Sequence, residues 1–239
     1  MEHFFTIIGG MGTLATETYI HQLNLRTPAH SDQEYLNYIL VNHATVPDRT
    51  NYILDHSQPS PLQPLLADFR QQASLGPDFF TLPCNTAHYF YEQLKQVTDI
   101  PILHMPREAV AWIGDNLKAV KRVGLISTEG TRADHIYDDE IMAAGYDLIL
   151  PDEKIQEQTN QLIYAGVKEK NHVDRQLYHE ILRQMFEEKG CEAVVLGCTE
   201  LSLAQDREPY LEHPVVDSQS ILVDKTIDLA LRARAGEKI

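Results

Sequence analysis

Two segments of the 239-residue chain share one layout: Gly76-Pro77-Asp78-Phe79-Phe80-Thr81-Leu82-Pro83-Cys84 and, 114 residues later, Gly190-Cys191-Glu192-Ala193-Val194-Val195-Leu196-Gly197-Cys198. Each reads as a helix-ending glycine, an acid, a short buried strand and a cysteine. Near the same offset, Thr6-Ile7-Ile8-Gly9-Gly10 has a counterpart in Val123-Gly124-Leu125-Ile126-Ser127-Thr128. Repetition of this kind restricts the chain to two similar α/β halves, each with a cysteine at the carboxyl end of a strand.

The intervening sequence alternates short β-rich runs with longer helical periodicity, the pattern of a mostly parallel sheet covered by helices. Strands are expected over 4–8, 35–41, 79–82, 100–103, 123–126, 147–150, 193–196 and 215–217. Over 60–76, Ser60 can cap a helix, Pro61 suits its first position, Gln63 completes a capping box, and Gly76 stops it. Leu62, Leu65, Leu66, Phe69 and Ala73 then share one face. Gly145 and Gly190 end the helical stretches 135–144 and 173–189 in the same way. The crossover between halves falls around 104–106, and a last helix over 220–233 is expected to return to the first half. The division is therefore 1–103 plus 212–239 around Cys84, and 104–211 around Cys198.

Composition excludes several classes of function. Hydrophobic residues make up 43% and charged residues 23%, as in ordinary globular chains and unlike disordered or coiled-coil ones. Twenty basic against 35 acidic residues leave a net charge of -15, which repels nucleic-acid phosphates and anionic membranes. The longest strongly apolar runs, such as 193–198, fall far short of the roughly 20 residues of a membrane span. Glu2 and the brevity of the first apolar run do not fit a secretory signal, so a cytoplasmic location is expected. Three cysteines without C-x-x-C spacing make neither a disulfide framework nor a zinc clip, and the eleven histidines are too scattered for a metal site.

Ligands of open α/β sheets sit beyond the carboxyl ends of the strands, where helices begin. Cys84 and Cys198 both fall there, and a thiol at a helix N-terminus is expected to have its pKa lowered from about 8.5 toward neutral. One such cysteine reads as a small core hydrophobe; two at equivalent places point to a site. Cys191, preceding its strand where the first half has Pro77, reads as structural. Gly10-Met11-Gly12-Thr13-Leu14-Ala15 fits a loose dinucleotide fingerprint. The second strand, however, runs into Asn42-His43 with no acid for a ribose, which disfavours a nucleotide-dependent oxidoreductase. The glycines can instead bring backbone N–H groups close to a carboxylate. Arg49, in Pro47-Asp48-Arg49-Thr50, can grip a carboxylate with two parallel hydrogen bonds or be a solvated loop residue. Lys168 alone reads as a surface lysine. His88, one helical turn past Cys84, either orients it or covers the helix, and His104 is either a pocket residue or a strand-end filler.

Taken in order, Gly9-Gly10-Met11-Gly12 with Ala15-Thr16, Pro47-Asp48-Arg49-Thr50, Pro83-Cys84-Asn85-Thr86-Ala87-His88 and Gly197-Cys198-Thr199-Glu200-Leu201 resemble the cofactor-independent aspartate/glutamate racemases of the Asp/Glu/hydantoin racemase superfamily. The resemblance covers nearly the whole chain. It implies two pseudo-symmetric parallel-sheet α/β domains facing a central cleft, no cofactor, a small dicarboxylic amino-acid substrate and a homodimer. It further implies that Cys84 and Cys198 are the catalytic pair, one thiolate removing the α-proton while the other thiol protonates the opposite face. By the same resemblance Asn85, Thr86, Thr128 and Thr199 donate hydrogen bonds, Met11 and Gly12 line the cleft, Arg49 and Lys168 hold carboxylates, and Glu200 binds the amine. Thr13 departs from the family, which more often has Pro there. Two rival readings share the architecture: a relative that isomerises maleate or decarboxylates malonates, and an amino-acid-binding protein without turnover.

Overall fold

The computed structural model describes residues 1–239. The first half comprises β1 (Phe4–Gly9), α1 (Thr13–Arg26), β2 (Asn37–Asn42), α2 (Arg49–Leu54), α3 (Leu62–Ala73) and β3 (Phe80–Thr81), then a 3-10 turn (Thr86–Phe90) leading into α4 (Tyr91–Lys95). Helix α5 (Met105–Asn116) crosses to the second half, which begins with β4 (Arg122–Ser127), α6 (Glu129–Ala133), α7 (Asp138–Ala143) and β5 (Asp147–Ile149). There follow α8 (Glu153–Asn160), which widens into a π-helix (Gln161–Lys168), and α9 (Arg175–Arg183) with a π-turn (Gln184–Glu188). The chain ends with β6 (Ala193–Gly197), α10 (Thr199–Arg207), β7 (Val215–Asp217) and α11 (Ser218–Arg234).

The strands form two wholly parallel sheets, ordered β2-β1-β3 and β5-β4-β6-β7. The three strands of the first sheet match the first three of the second, and the register matches as well. Thr6 pairs with Phe80 as Gly124 pairs with Val194, the positions the repeat aligns. Strands β1 and β6 are buried along their whole length, as strands covered on both faces must be. Phe5 and Ile7 face a core shared with α1 and α11 (Tyr19, Leu23, Leu222, Val223), and Ile8 faces α3 (Leu65, Leu66, Phe69). In the second sheet Val123 and Leu125 pack on α5 and α7, and Ile126, Val194 and Leu196 on helices α8 to α10.

Helix α3 begins one residue later than its sequence signals suggest, with Ser60 Oγ accepting the Leu62 N–H at 3.3 Å. Gly76, Gly145 and Gly190 all take positive φ (68°, 86° and 68°), the left-handed stop that only glycine adopts freely. Two expectations need correction. The segment 100–103 contributes a single bridge, Ile102 to Phe80, because Pro101 has no N–H and His104 already caps α5. Residues 215–217 lie in the second sheet, since β7 pairs with β6, and not in the first half that the 212–239 boundary implies. Helix α11 does return, as Tyr19 Oη bonds Thr226 Oγ1 at 2.6 Å and Arg26 meets Asp224 at 3.1 Å. No helix is long and apolar enough to cross a membrane.

Candidate active site

The carboxyl ends of the two sheets face each other across a small cavity. Met11, Arg49, Cys84, Asn85, Thr86, Thr128, Lys168, Cys198, Thr199 and Glu200 line it, together with Asp48 and Thr50. Gly12 lines a wider adjoining cavity that shares Met11, Asp48, Arg49, Lys168 and Glu200 with the inner one. The chosen residues thus converge, although they come from loops spread across most of the chain.

In the first half, the turn after β1 is fixed by Thr16, whose Oγ1 accepts the Gly10 N–H at 3.0 Å and donates to the Gly12 carbonyl at 2.9 Å. A side chain at Gly12 would lie 3.0 Å from Glu200 Oε1, so the glycine lets this turn approach the other half. Thr13, where the family favours Pro, is simply the first residue of α1, a position that accepts either. Asp48 caps α2 by accepting the Asn51 N–H, which sets Arg49 facing inward. Arg49 is 8% exposed and donates to the carbonyls of Met11 (2.9 Å), Pro47 (3.1 Å) and Val46 (3.4 Å). Its Nε bonds nothing, and it belongs to no ion pair of the protein.

Cys84 and Cys198 are each 4% exposed. The three polar residues that follow Cys84 fasten it to the rest of the molecule. Asn85 Oδ1 accepts from Tyr137 Oη, and Asn85 Nδ2 donates to Ser218 Oγ at 3.2 Å. Ser218 gives its own proton to the Leu196 carbonyl of β6 at 2.6 Å, joining the Cys84 loop to the strand that leads to Cys198. Thr86 Oγ1 lies 3.0 Å from Thr128 Oγ1 and 2.9 Å from Thr131 Oγ1, so a hydroxyl cluster bridges the halves at the start of α6. His88 is buried behind Cys84, and burial pulls its pKa down to about 4. His104 stays out of the cavity and caps α5, Nδ1 accepting the Arg107 N–H at 3.2 Å.

On the opposite wall Cys198 Sγ donates to Glu200 Oε2 at 2.9 Å, and Glu200 Oε1 lies 3.8 Å from Lys168 Nζ. Lys168, carried on the π-helix, also sits 5.0 Å above the Tyr164 ring. Burial pulls its ammonium down, but the charges around it, Glu200 first, outweigh that and hold its pKa above the ordinary value. For Cys198 the expected lowering is reversed. Burial first, then the Glu200 carboxylate, push the thiol well above its usual range despite its place at the start of α10. Cys198 therefore rests as a protonated thiol. Cys191 is buried apart from the cavity against Gly124, its thiol pushed up to about 11 by burial, as a structural residue should be.

Sequence reasoning missed Asp48 and Thr50, though both stand in the motif that supplied Arg49, and it missed Tyr137, Ser218 and Thr131, which local sequence does not mark. No three His, Cys, Asp or Glu side chains gather as a metal-ligand set.

Comparison with known proteins agrees with this architecture. The family model described as Asp/Glu/Hydantoin racemase matches residues 8–226. A broad specificity amino-acid racemase, RacX of Bacillus subtilis (strain 168), is 27% identical over 231 residues, spanning 94% of this chain and 97% of that one. The aspartate racemase of Picrophilus torridus superposes with a TM-score of 0.81 at 27% identity, covering 95% of this chain and 94% of its own. The glutamate racemase of Francisella tularensis, solved with D-glutamate, shares the fold at a TM-score of 0.64 and 15% identity over 98% of this chain and 82% of its own. The chain belongs to the Asp/Glu/hydantoin racemase family and is an isomerase, an amino-acid racemase built from two parallel-sheet α/β domains.

Proposed function

We propose that the protein interconverts L- and D-aspartate, glutamate or both, without a cofactor, using Cys84 and Cys198 as opposed acid and base. The observation that carries the reading is that two buried thiols at equivalent strand ends line one small cavity. In one direction the Cys84 thiolate takes the α-proton, and the electron pair of the broken C–H bond spreads onto the α-carboxylate. Cys198 then delivers its S–H proton to the opposite face, leaving Cys84 as thiol and Cys198 as thiolate. The reverse direction starts from that second form, so one cavity serves both enantiomers.

An α-proton beside a carboxylate is weakly acidic, so the site must stabilise charge that grows as the proton leaves. Thr86, Thr128 and Thr199, the free N–H of Asn85 and the start of α10 supply donors at the cavity wall. Arg49 suits the side-chain carboxylate because it is a buried cation without a counter-ion. Glu200 suits the amine, and Lys168 neutralises the excess negative charge around Cys198. Aspartate and glutamate differ by one methylene, worth only about 1–3 kcal/mol in a pocket. The Picrophilus torridus relative is named for aspartate, which makes that the first substrate to try.

The test is proton NMR with L-aspartate, and separately L-glutamate, in deuterated reducing buffer, followed by chiral analysis of the same samples. Loss of the α-proton signal with appearance of the D-enantiomer is expected. Cys84→Ala and Cys198→Ala should each abolish racemisation, with exchange of the α-proton confined to the one enantiomer that faces the remaining thiol. Exchange absent with both amino acids, or wild-type rates in either variant, would refute the two-thiol reading.

A further inference from the structure

The two cysteines are held differently. The Cys198 carbonyl accepts backbone amides of α10, Leu201 N–H at 3.0 Å and Ser202 N–H at 3.3 Å, so the helix itself fixes the peptide beyond the thiol. Cys84 has no such helix behind it, because the chain turns into a 3-10 segment in which the His88 N–H goes to Asn85. No backbone amide reaches the Cys84 carbonyl. The bond comes from a side chain instead, His88 Nδ1 at 2.9 Å.

The rest of the ring's bonding determines its tautomer. Nε2 lies 3.5 Å from the Leu103 carbonyl, but the shorter contacts decide: Met105 N–H, at the start of α5, donates to Nε2 at 3.1 Å, so Nε2 presents its lone pair and the proton sits on Nδ1, where it donates to Cys84. Helix α5 belongs to both halves: Met105 packs with Phe5 and Phe79 of the first, Ala109 and Ile113 with Val123 and Leu125 of the second. His88 thus ties the peptide after Cys84 to the helix joining the halves. On the other side, the Cys84 N–H closes a tight turn around Pro83 onto the Leu82 carbonyl at 2.8 Å. Between these two anchors the Cα–Cβ direction of Cys84 has little freedom.

We propose that His88 is a positioning residue for the reaction: held as the Nδ1–H tautomer between Met105 and the Cys84 carbonyl, it does for Cys84 what the first turn of α10 does for Cys198. The inference rests on the racemase reading above. His88 does not line the cavity and does not exchange protons with substrate. Burial keeps its ring neutral above about pH 4, so the Nε2 acceptor persists through the neutral range. Its loss lets the Cys84 thiol drift, and a shift of about 1 Å at a reacting atom costs on the order of 100-fold in rate.

Two substitutions separate the ring's two bonds. In His88→Asn the amide nitrogen takes the place of Nδ1 and keeps the bond to Cys84; in His88→Gln the longer amide reaches Met105 and gives that bond up. Wild type and both variants would be assayed with L- and D-aspartate, or glutamate if wild type prefers it, protonated or deuterated at Cα, with rates scaled to the folded fraction from circular dichroism. His88→Asn should retain most of the wild-type kcat and His88→Gln should lose on the order of 100-fold. In His88→Gln the primary isotope effect should rise for one enantiomer and fall for the other, because only the Cys84 transfer has become slower. Equal losses in the two variants, or isotope effects that move alike in both directions, would overturn the role of His88 while leaving the racemase reading intact. An inactive wild type would overturn both.

Discussion

Arg49 carries a buried positive charge that the protein alone does not neutralise. Three backbone carbonyls hold the guanidinium, Nε is left without a partner, and no carboxylate pairs with it. Desolvating an unpaired charge costs several kcal/mol, and carbonyl dipoles return only part of it. In the proposed function the substrate's side-chain carboxylate completes the arrangement. Arg49→Ala is therefore expected to lower kcat/KM for aspartate by about 100-fold or more while shifting the melting temperature little, since relief of the buried charge offsets the lost carbonyl bonds. Arg49→Lys should rescue poorly, because an ammonium has no planar fork to match a carboxylate. Steady-state kinetics and calorimetry on the two variants check this; unchanged turnover of both amino acids would place the side-chain carboxylate elsewhere. The Arg was visible in the sequence motif, but its lack of a counter-ion was not, since that depends on what every other element brings near it.

Among the elements, the short helices α2 and α6 hold the halves in contact. A side chain on Gly130 of α6 would lie 2.8 Å from the Thr50 Cα of α2, a clash with backbone that no rotamer change relieves. Gly130→Ala is expected to destabilise the protein by about 1–3 kcal/mol, as overpacking does. It should also reduce kcat, because α2 carries Arg49 and Thr128 caps α6. Thermal melting and kinetics of this variant should move together; a normal melting temperature with normal kcat would mean the halves can part there without consequence. The π-helix over Gln161–Lys168 is another device at this scale. It ends on Lys168, the residue that meets Glu200, and widened turns of this kind recur at functional sites. Neither feature has a sequence signature: Gly130 resembles any glycine, and the 161–168 sequence reads as an ordinary amphipathic helix.

At the scale of the whole molecule, a net charge of -15 surrounds a site whose proposed substrate is an anion. The long-range field opposes approach, and Arg49 and Lys168 act only at close range. Raising ionic strength from about 10 to about 150 mM shortens the Debye length from about 30 to about 8 Å, so kcat/KM for aspartate is expected to rise over that range. A fall would mean that the local cations dominate encounter. The two-sheet architecture itself was legible in the primary structure, because strand and helix signals are local and their repetition, from Thr6 to Gly124 and from Cys84 to Cys198, sets two equivalent units. The same locality led to errors at 100–103, where one proline ends a strand, and at 215–217, where pairing with β6 decides membership of a sheet. Residue identity and order determined which side chains stand at strand ends, and so which could meet. Tertiary structure alone decided that Asn85 is held by Tyr137 and Ser218, that His88 bonds the Cys84 carbonyl, and that burial first and then Glu200 raise the Cys198 pKa that its helix was expected to lower. The reason is physical: burial and nearby charge are sums over everything the fold brings within a few ångströms, and most of those neighbours lie far away along the chain.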